Sequence, residues 1–307
     1  MKETFGQKTR RSHKRNQRVV MFWRAFVFTF VIAGVWLFRG TLFQNDSGAS
    51  SSGTNQSRHD ACGTADSRQK STDVTQAPMD HEVWQKLQDL VSQDQRVQQV
   101  IDNCEIYPED ILKMLSRNLD MLNFVLEYPE KVGQVFAETV GEVEGGEVPL
   151  LLQYDQRWGY GDYGNSSVAV SGCGPACLSM VITSLTGDDT ITPYVVAQYA
   201  SEQGYYVPGA GTAWTLMSEG AKHFGVIGEE LPLTKSIMEG VLREGRPIIC
   251  SMRPGDFTTT GHFIVITGIK DGQFTVNDPN STERSNMLWD YDTLKPQISN
   301  LWAFQAL

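Results

Sequence analysis

Two cysteines stand four residues apart in "SGCGPACLSM", residues 171–180, and only the first is placed to do chemistry. After Cys173 comes a run in which Cys177, Met180, Val181, Ser184 and Leu185 form an apolar helical stripe. Pro175 suits the first turn of that helix, because its missing N–H is not needed there. The spacing therefore predicts Cys173 at a helix N-terminus, where unpaired N–H groups and the positive end of the dipole favour an anion. A thiolate is such an anion, and it is a nucleophile. Cys177, one turn further in, is expected to pack.

A thiolate nucleophile needs a partner that carries protons. Of the five histidines, His13 and His59 fall in a basic head and a polar tether, and His81 opens a helical stretch. His223, in "AKHFG", falls near a helix C-terminus, where a histidine caps carbonyls. His262 differs, because "GHFIVITGIKDGQFTVNDPNS" runs from the histidine through a β-branched apolar strand and a "KDG" turn into a second strand. Folding this hairpin about residue 271 sets residue 262 across from about 280, which brings Asp278 within a residue or two of His262. A carboxylate there can orient the imidazole and hold its tautomer, completing the nucleophile, base and orienter of an acyl-transfer site. Taken singly, "NDPNS" is an ordinary loop and a Gly-His before a strand is common. Their combination with Cys173 at a helix start carries the reading.

The elements that position these groups occupy the C-terminal half of the 307 residues, an ordinary globular composition with 40% hydrophobic and 20% charged residues. Residues 1–39 carry nine Lys or Arg and one acid, +8 within a total of −10, which leaves −18 on the remainder. A basic head on an acidic body argues against a nucleic-acid partner, whose basic patch would lie on the folded part. From Val19 to Phe38 twenty residues contain a single charge, Arg24, and read as a transmembrane signal anchor. The basic residues 1–18 precede it, so the positive-inside rule puts the body outside the cytoplasm at a single-pass cell membrane. A cleaved signal peptide, and hence a secreted body, is the alternative, because the uninterrupted core from Ala25 to Phe38 is short.

Residues 40–80 form a flexible linker, rich in Ser, Gly, Asn and Asp. Residues 81–145 read as a helical module of three or four short helices. Its apolar face runs through Trp84, Leu87, Val91, Val97, Val100, Ile101 and Cys104, and Pro108 and Pro129 mark helix starts. "EVPLLLQYDQRW" reads as a short strand and a turn, and "GYGDYGNSSVAVSG" as loop. The cysteines, Cys62, Cys104, Cys173, Cys177 and Cys250, are odd in number and irregularly spaced, and residues four apart on a helix do not meet disulfide geometry. The chain is therefore not a disulfide scaffold, and Cys104 reads as a small core residue.

The order Cys, His, Asp is that of papain-like enzymes. "VPLLLQYDQRW", "SGCGPACLSMV", "TAWTLMSEGAKHFG" and "GHFIVITGIKDGQFTVNDPNS" also resemble the bacterial bacteriocin-leader-processing (double-glycine) cysteine peptidases, in particular their soluble branch. The resemblance covers roughly residues 148–307, within an expected peptidase-like domain at 146–307. It implies an α+β, papain-like fold in which the nucleophile helix packs on an antiparallel sheet, with Cys173 as nucleophile, His262 as general base and Asp278 as orienting acid. It also implies Gln153 as the side-chain donor of an oxyanion hole beside the backbone N–H of Cys173. Here twenty residues separate the glutamine from the cysteine, more than in transporter-linked members, which leaves Gln156 as an alternative donor. Leader processing is cytoplasmic and does not carry over to a domain expected outside.

Three functions stand as expectations. One is a membrane-tethered thiol hydrolase acting on a peptide or cell-wall amide without a cofactor. The others are a silent peptide- or cell-wall-binding module of the same fold, and an acyl transferase that uses the same thioester. A metal site fits poorly, since no CxxC or HxxxH spacing is present.

Overall fold

The computed structural model describes residues 80–307. The expected anchor Val19–Phe38, the basic head and the linker with Cys62 lie outside the described residues. Among the described residues no helix is long and apolar enough to cross a membrane.

The described residues begin with a helical layer. Asp80 caps the helix His81–Val91 by accepting from the N–H groups of Glu82 and Val83, at 2.8 and 3.3 Å. That helix buries Val83 and Leu87, so Val83 takes the core position expected of Trp84, which is half-buried. The helices Val97–Asp102, Glu109–Leu115 and Leu122–Lys131 come next. Pro108 caps the third with extended backbone, and Glu109 and Asp110 occupy its first turn, as the dipole favours. Pro129 behaves otherwise than expected, since it lies inside the last turn of Leu122–Lys131 and starts nothing. The buried Phe124, Val125 and Tyr128 hold that turn helical against the proline. Cys104 is buried in the same apolar cluster.

Tyr160 joins this layer to the C-terminal part of the chain. Its ring stacks on Phe124 at 4.3 Å and 12°, its hydroxyl donates to the Phe124 carbonyl at 3.1 Å, and Tyr154 and Ala169 complete the cluster. Between these residues the sequence expectations need two corrections. Residues 147–152 form no strand: Leu151 turns into the core, and the backbone bonds are isolated ones, such as the Glu147 N–H to the Glu144 carbonyl and Asn277 Nδ2 to the Val148 carbonyl. The expected loop 159–172 instead holds β1 (Asp162–Tyr163), paired with β2 (Ser166–Ser167), and a one-turn helix Val168–Ser171. Gly164 permits the turn at φ 61°.

The helix Cys173–Thr186 comes immediately after. Every residue from Gly174 to Thr183 is buried, and Gly187 ends the helix at φ 71°. The helix Pro193–Glu202 packs beside it. Next come the small hairpin β3 (Tyr206–Val207) and β4 (Gly211–Thr212), then β5 (Val226–Glu230) and the helix Lys235–Arg243. The remaining strands are β6 (Ile248–Met252), β7 (His262–Lys270), β8 (Gln273–Asn277), β9 (Leu288–Trp289) and β10 (Ile298–Ala306).

Strands β5 to β10 make one antiparallel sheet in the order β5-β10-β6-β7-β8-β9. Alternation along the strands gives it two apolar faces. Ile249, Phe263, Val265, Trp302 and Phe304 meet Cys177, Met180 and Val181 of the helix Cys173–Thr186. Ile248, Cys250, Ile264 and Ile266 meet Met238 and Leu242 of the helix Lys235–Arg243. The architecture is α+β, with the cysteine-bearing helix buried on one face of the sheet.

Candidate active site

Cys173 is the first residue of its helix, as the proline pattern predicts, and it is partly exposed. The preceding one-turn helix stops at Ser171, and Gly172 breaks the path at φ −90° and ψ 16°. A continuous helix would bond the Cys173 N–H to the carbonyl of Ala169. That carbonyl instead accepts from Gln153 Nε2 at 2.5 Å, and the Cys173 N–H has no backbone partner among the described residues. The side-chain amide of Gln153 and the free N–H of Cys173 thus meet at the same broken turn. Gln153 is 2% exposed, its backbone N–H bonds the Pro279 carbonyl at 2.8 Å, and its Oε1 is buried without a partner among the described residues. Gln156 faces elsewhere, donating to the Asn123 carbonyl and to Glu127 Oε2 of the helical layer. Cys177 is fully buried, and burial pushes its thiol well above the ordinary range, with Cys173 adding to the effect.

The hairpin brings the other two groups together. Lys270 pairs with Gln273 across Asp271 and Gly272, both at positive φ, which makes the turn the mirror-image type that matches strand twist. Val265 pairs with Asn277, a register that carries residue 262 opposite 280. His262 Nε2 donates to Asp278 Oδ1 at 2.7 Å, and the Asn280 N–H donates to the same oxygen at 2.8 Å. With Nε2 occupied, Nδ1 is the ring nitrogen left for Cys173, which lines the same cavity.

Burial is the largest influence on the His262 imidazolium and opposes it, but the charge and hydrogen bond of Asp278, with those of Cys173, outweigh it and push the ring up to about 10. Burial likewise works against the Asp278 carboxylate, yet His262 and Arg284 together hold it below the ordinary range. Arg284 is a partner of the pair that the sequence did not single out, and its Nε donates to Asp278 Oδ2 at 2.6 Å. The signal was the cap "STER", since Ser281 accepts from the Arg284 N–H at 3.1 Å and starts the helix Thr282–Ser285 that turns Arg284 back.

Cys173, His262 and Gln153 open into one cavity of about 640 Å³. One wall is the β6–β7 loop, Gly255–Gly261, with the loop after Asp278. The opposite wall is the helical layer, through Leu90, Met114 and the stretch Ser116–Asp120. Hydrogen bonds tie the walls together: Arg117 Nη1 donates to Thr259 Oγ1 at 3.2 Å, Asn118 Nδ2 to the Asn280 carbonyl at 2.8 Å, and Thr282 Oγ1 to Asp120. The aromatic residues Trp158, Tyr160 and Tyr163 are core, each fully buried. His223, exposed in a short 3-10 helix, stacks on Tyr199 at 4.2 Å, away from the cavity. Among the described residues no group of acids, cysteines and histidines could hold a metal ion.

The Peptidase_C39 like family model matches residues 146–305. The chain belongs to the Peptidase_C39 like family. This is a family of cysteine peptidases, and its α+β fold is the one described above. The chain is also similar to a solved structure, a C39-like peptidase from Bacillus anthracis, at 12% identity and a TM-score of 0.31, over 52% of this chain and 94% of that one. A comparison with curated proteins gives no match. The Peptidase_C39 like region begins after the helical layer, so the catalytic candidates lie inside the matched residues and one wall of their cavity lies outside them.

Proposed function

We propose that this chain is a thiol hydrolase that cleaves a peptide or amide bond through an acyl-enzyme, with Cys173 as nucleophile, His262 as proton carrier, Asp278 as orienter and Gln153 as oxyanion donor. The supporting observation is the broken turn at Gly172, where the Cys173 N–H is free and the Gln153 amide is within one carbonyl of it. Cys173 Sγ attacks the carbonyl carbon, and the electron pair passes to oxygen. The Cys173 N–H and the second Nε2 hydrogen of Gln153 stabilise that oxyanion. Collapse breaks the C–N bond, and His262 gives its proton to the leaving amine. Water, losing a proton to His262, then attacks the thioester, and collapse breaks the C–S bond, releasing the carboxylic acid and restoring the Cys173 thiolate beside the protonated His262. Asp278 stays ionised throughout and holds the ring by Nε2.

The apolar run Val19–Phe38 behind a basic head supports a membrane tether with the catalytic part outside the cytoplasm. The catalytic assignment is tested with a thiol-directed activity probe on the full chain. Cys173→Ala is expected to abolish labelling with the fold retained, and Cys177→Ala to keep labelling while losing about 1–3 kcal/mol of stability through lost packing. Labelling mapped to Cys177 with Cys173 silent would reverse the assignment.

A further inference from the structure

Asp278 is fully buried, and each of its oxygens has a cationic partner. Oδ1 faces the His262 ring, and Oδ2 is held by Arg284 Nε at 2.6 Å. Two oxygens gripped from opposite sides fix the plane of a carboxylate, where a single contact leaves it free to turn. Arg284 is itself fixed. Its N–H bonds Ser281 Oγ, its carbonyl accepts from Trp289 Nε1 at 3.1 Å, and its guanidinium lies 5.9 Å from the centre of the Phe257 ring. The Asp278 N–H donates to Ser285 Oγ at 2.9 Å, so one short helix grips both backbone and side chain of the acid.

We propose that Arg284 is a positioning residue that acts through Asp278: it aims Oδ1 at His262 and neutralises part of the carboxylate charge that the imidazolium would otherwise receive. The inference rests on the Cys-His-Asp reading of the site. The groups that bear on the His262–Asp278 pair are Cys173 at the helix start, Cys177 one turn further in, Arg284 on its short helix and Tyr154 from the preceding segment. Asp120, Asp256 and Glu283 line the same cavity with Arg117, and none of these is hydrogen-bonded to the pair.

The two roles of charge have opposite signs. Removing the Asp278 charge destabilises the imidazolium, whereas removing the Arg284 charge leaves Asp278 with His262 as its only cation and stabilises the imidazolium. A strut without electrostatic effect would, when lost, loosen Asp278 and weaken its hold on the ring, which is the Asp278→Asn direction.

The test is a ring NMR titration of His262 in the full chain carrying Cys173→Ala, which removes the sulfur and makes the readout independent of catalysis. Arg284→Gln is expected to move the His262 titration to higher pH by about one unit, Asp278→Asn to move it lower, and Arg284→Lys to leave it near the parent value. Arg284→Met, which keeps the side-chain stem against Phe257, replaces the glutamine variant if that does not fold, with the same expected direction. A His262 titration that is unmoved, or that moves down, in the charge-removing variant overturns the proposal. Because the ring is read directly, that result leaves the peptidase assignment standing, and a failure of Cys173 labelling would leave this one testable.

Discussion

Replacing Asp278 by Asn keeps the shape of the side chain and removes the charge that sits between His262 and Arg284. Asp278 is 0% exposed, and the Arg284 side chain is 25% exposed, so the guanidinium regains some hydration when its partner is lost. Breaking a buried pair from one side costs roughly 3–5 kcal/mol, and the partial hydration of Arg284 puts the expected loss near the lower figure. The loss depends on pH with a sign set by both partners. His262 titrates at about 10 in the folded chain against 6.5 unperturbed, so its contribution is complete below the lower value and fades as pH rises toward the upper one. Asp278 is depressed below 3.8, so its contribution is present above that value and disappears as pH falls through the folded one. The stability gap between wild type and Asp278→Asn is therefore widest between about pH 4 and pH 6.5 and narrows on either side. The alkaline narrowing is the part of that gap carried by the His262 charge, less what Cys173 contributes to the rise in both proteins. Urea unfolding of the two full chains at about pH 6 and about pH 9, followed by circular dichroism, measures the gap directly. A gap that is constant, or wider at the higher pH, would refute the coupling of this buried pair to folding.

Gln153→Ala is expected to lower kcat/KM on a fluorogenic peptide by about 10²–10³-fold while thiol-probe labelling of Cys173 persists, whereas Gln156→Ala leaves turnover near wild type. Equal losses in the two variants would remove the oxyanion assignment. Protease added to intact cells is expected to release a C-terminal fragment and leave the basic head protected. A naturally soluble form that begins after the apolar run would establish cleavage instead.

The hairpin could be read in advance because its information is local. "KDG" supplies the positive-φ turn, and simple counting from it set residue 262 across from about 280 and so Asp278 within a residue or two of His262, as the register from Val265↔Asn277 gives. The helix start at Cys173 was legible for the same reason. What escaped depends on chain segments that meet only after folding. Gly174 looks like one more glycine in the motif, yet a Cβ there would lie 2.7 Å from Thr212 Oγ1, on a side chain whose hydroxyl is bonded to Tyr163. No pattern of period two or 3.6 encodes that approach. Arg284 escaped because a four-residue helix is too short to show periodicity. Pro129 misled because its local preference for helix starts was overruled by the burial of Phe124, Val125 and Tyr128. The helices at 81–131 were legible as helices, but not as a cavity wall, since Asn118 meets Asn280 across 162 residues of chain.

That wall carries a practical consequence for anyone trimming or recombining this protein. A recombinant fragment cut at residue 146 would retain every proposed catalytic group, yet it would strip the cover from Tyr154, Tyr160 and Ala169 and remove one wall of the cavity. Conversely, exchanging Leu90 or Met114 would reshape one side of the cavity without changing any proposed catalytic residue, whereas Asn118 and Asp120 are bonded to the loop that holds Asp278. One wall of the cavity thus lies in a stretch of chain apart from the proposed catalytic groups, while the other, Gly255–Gly261 with the loop after Asp278, is continuous with them.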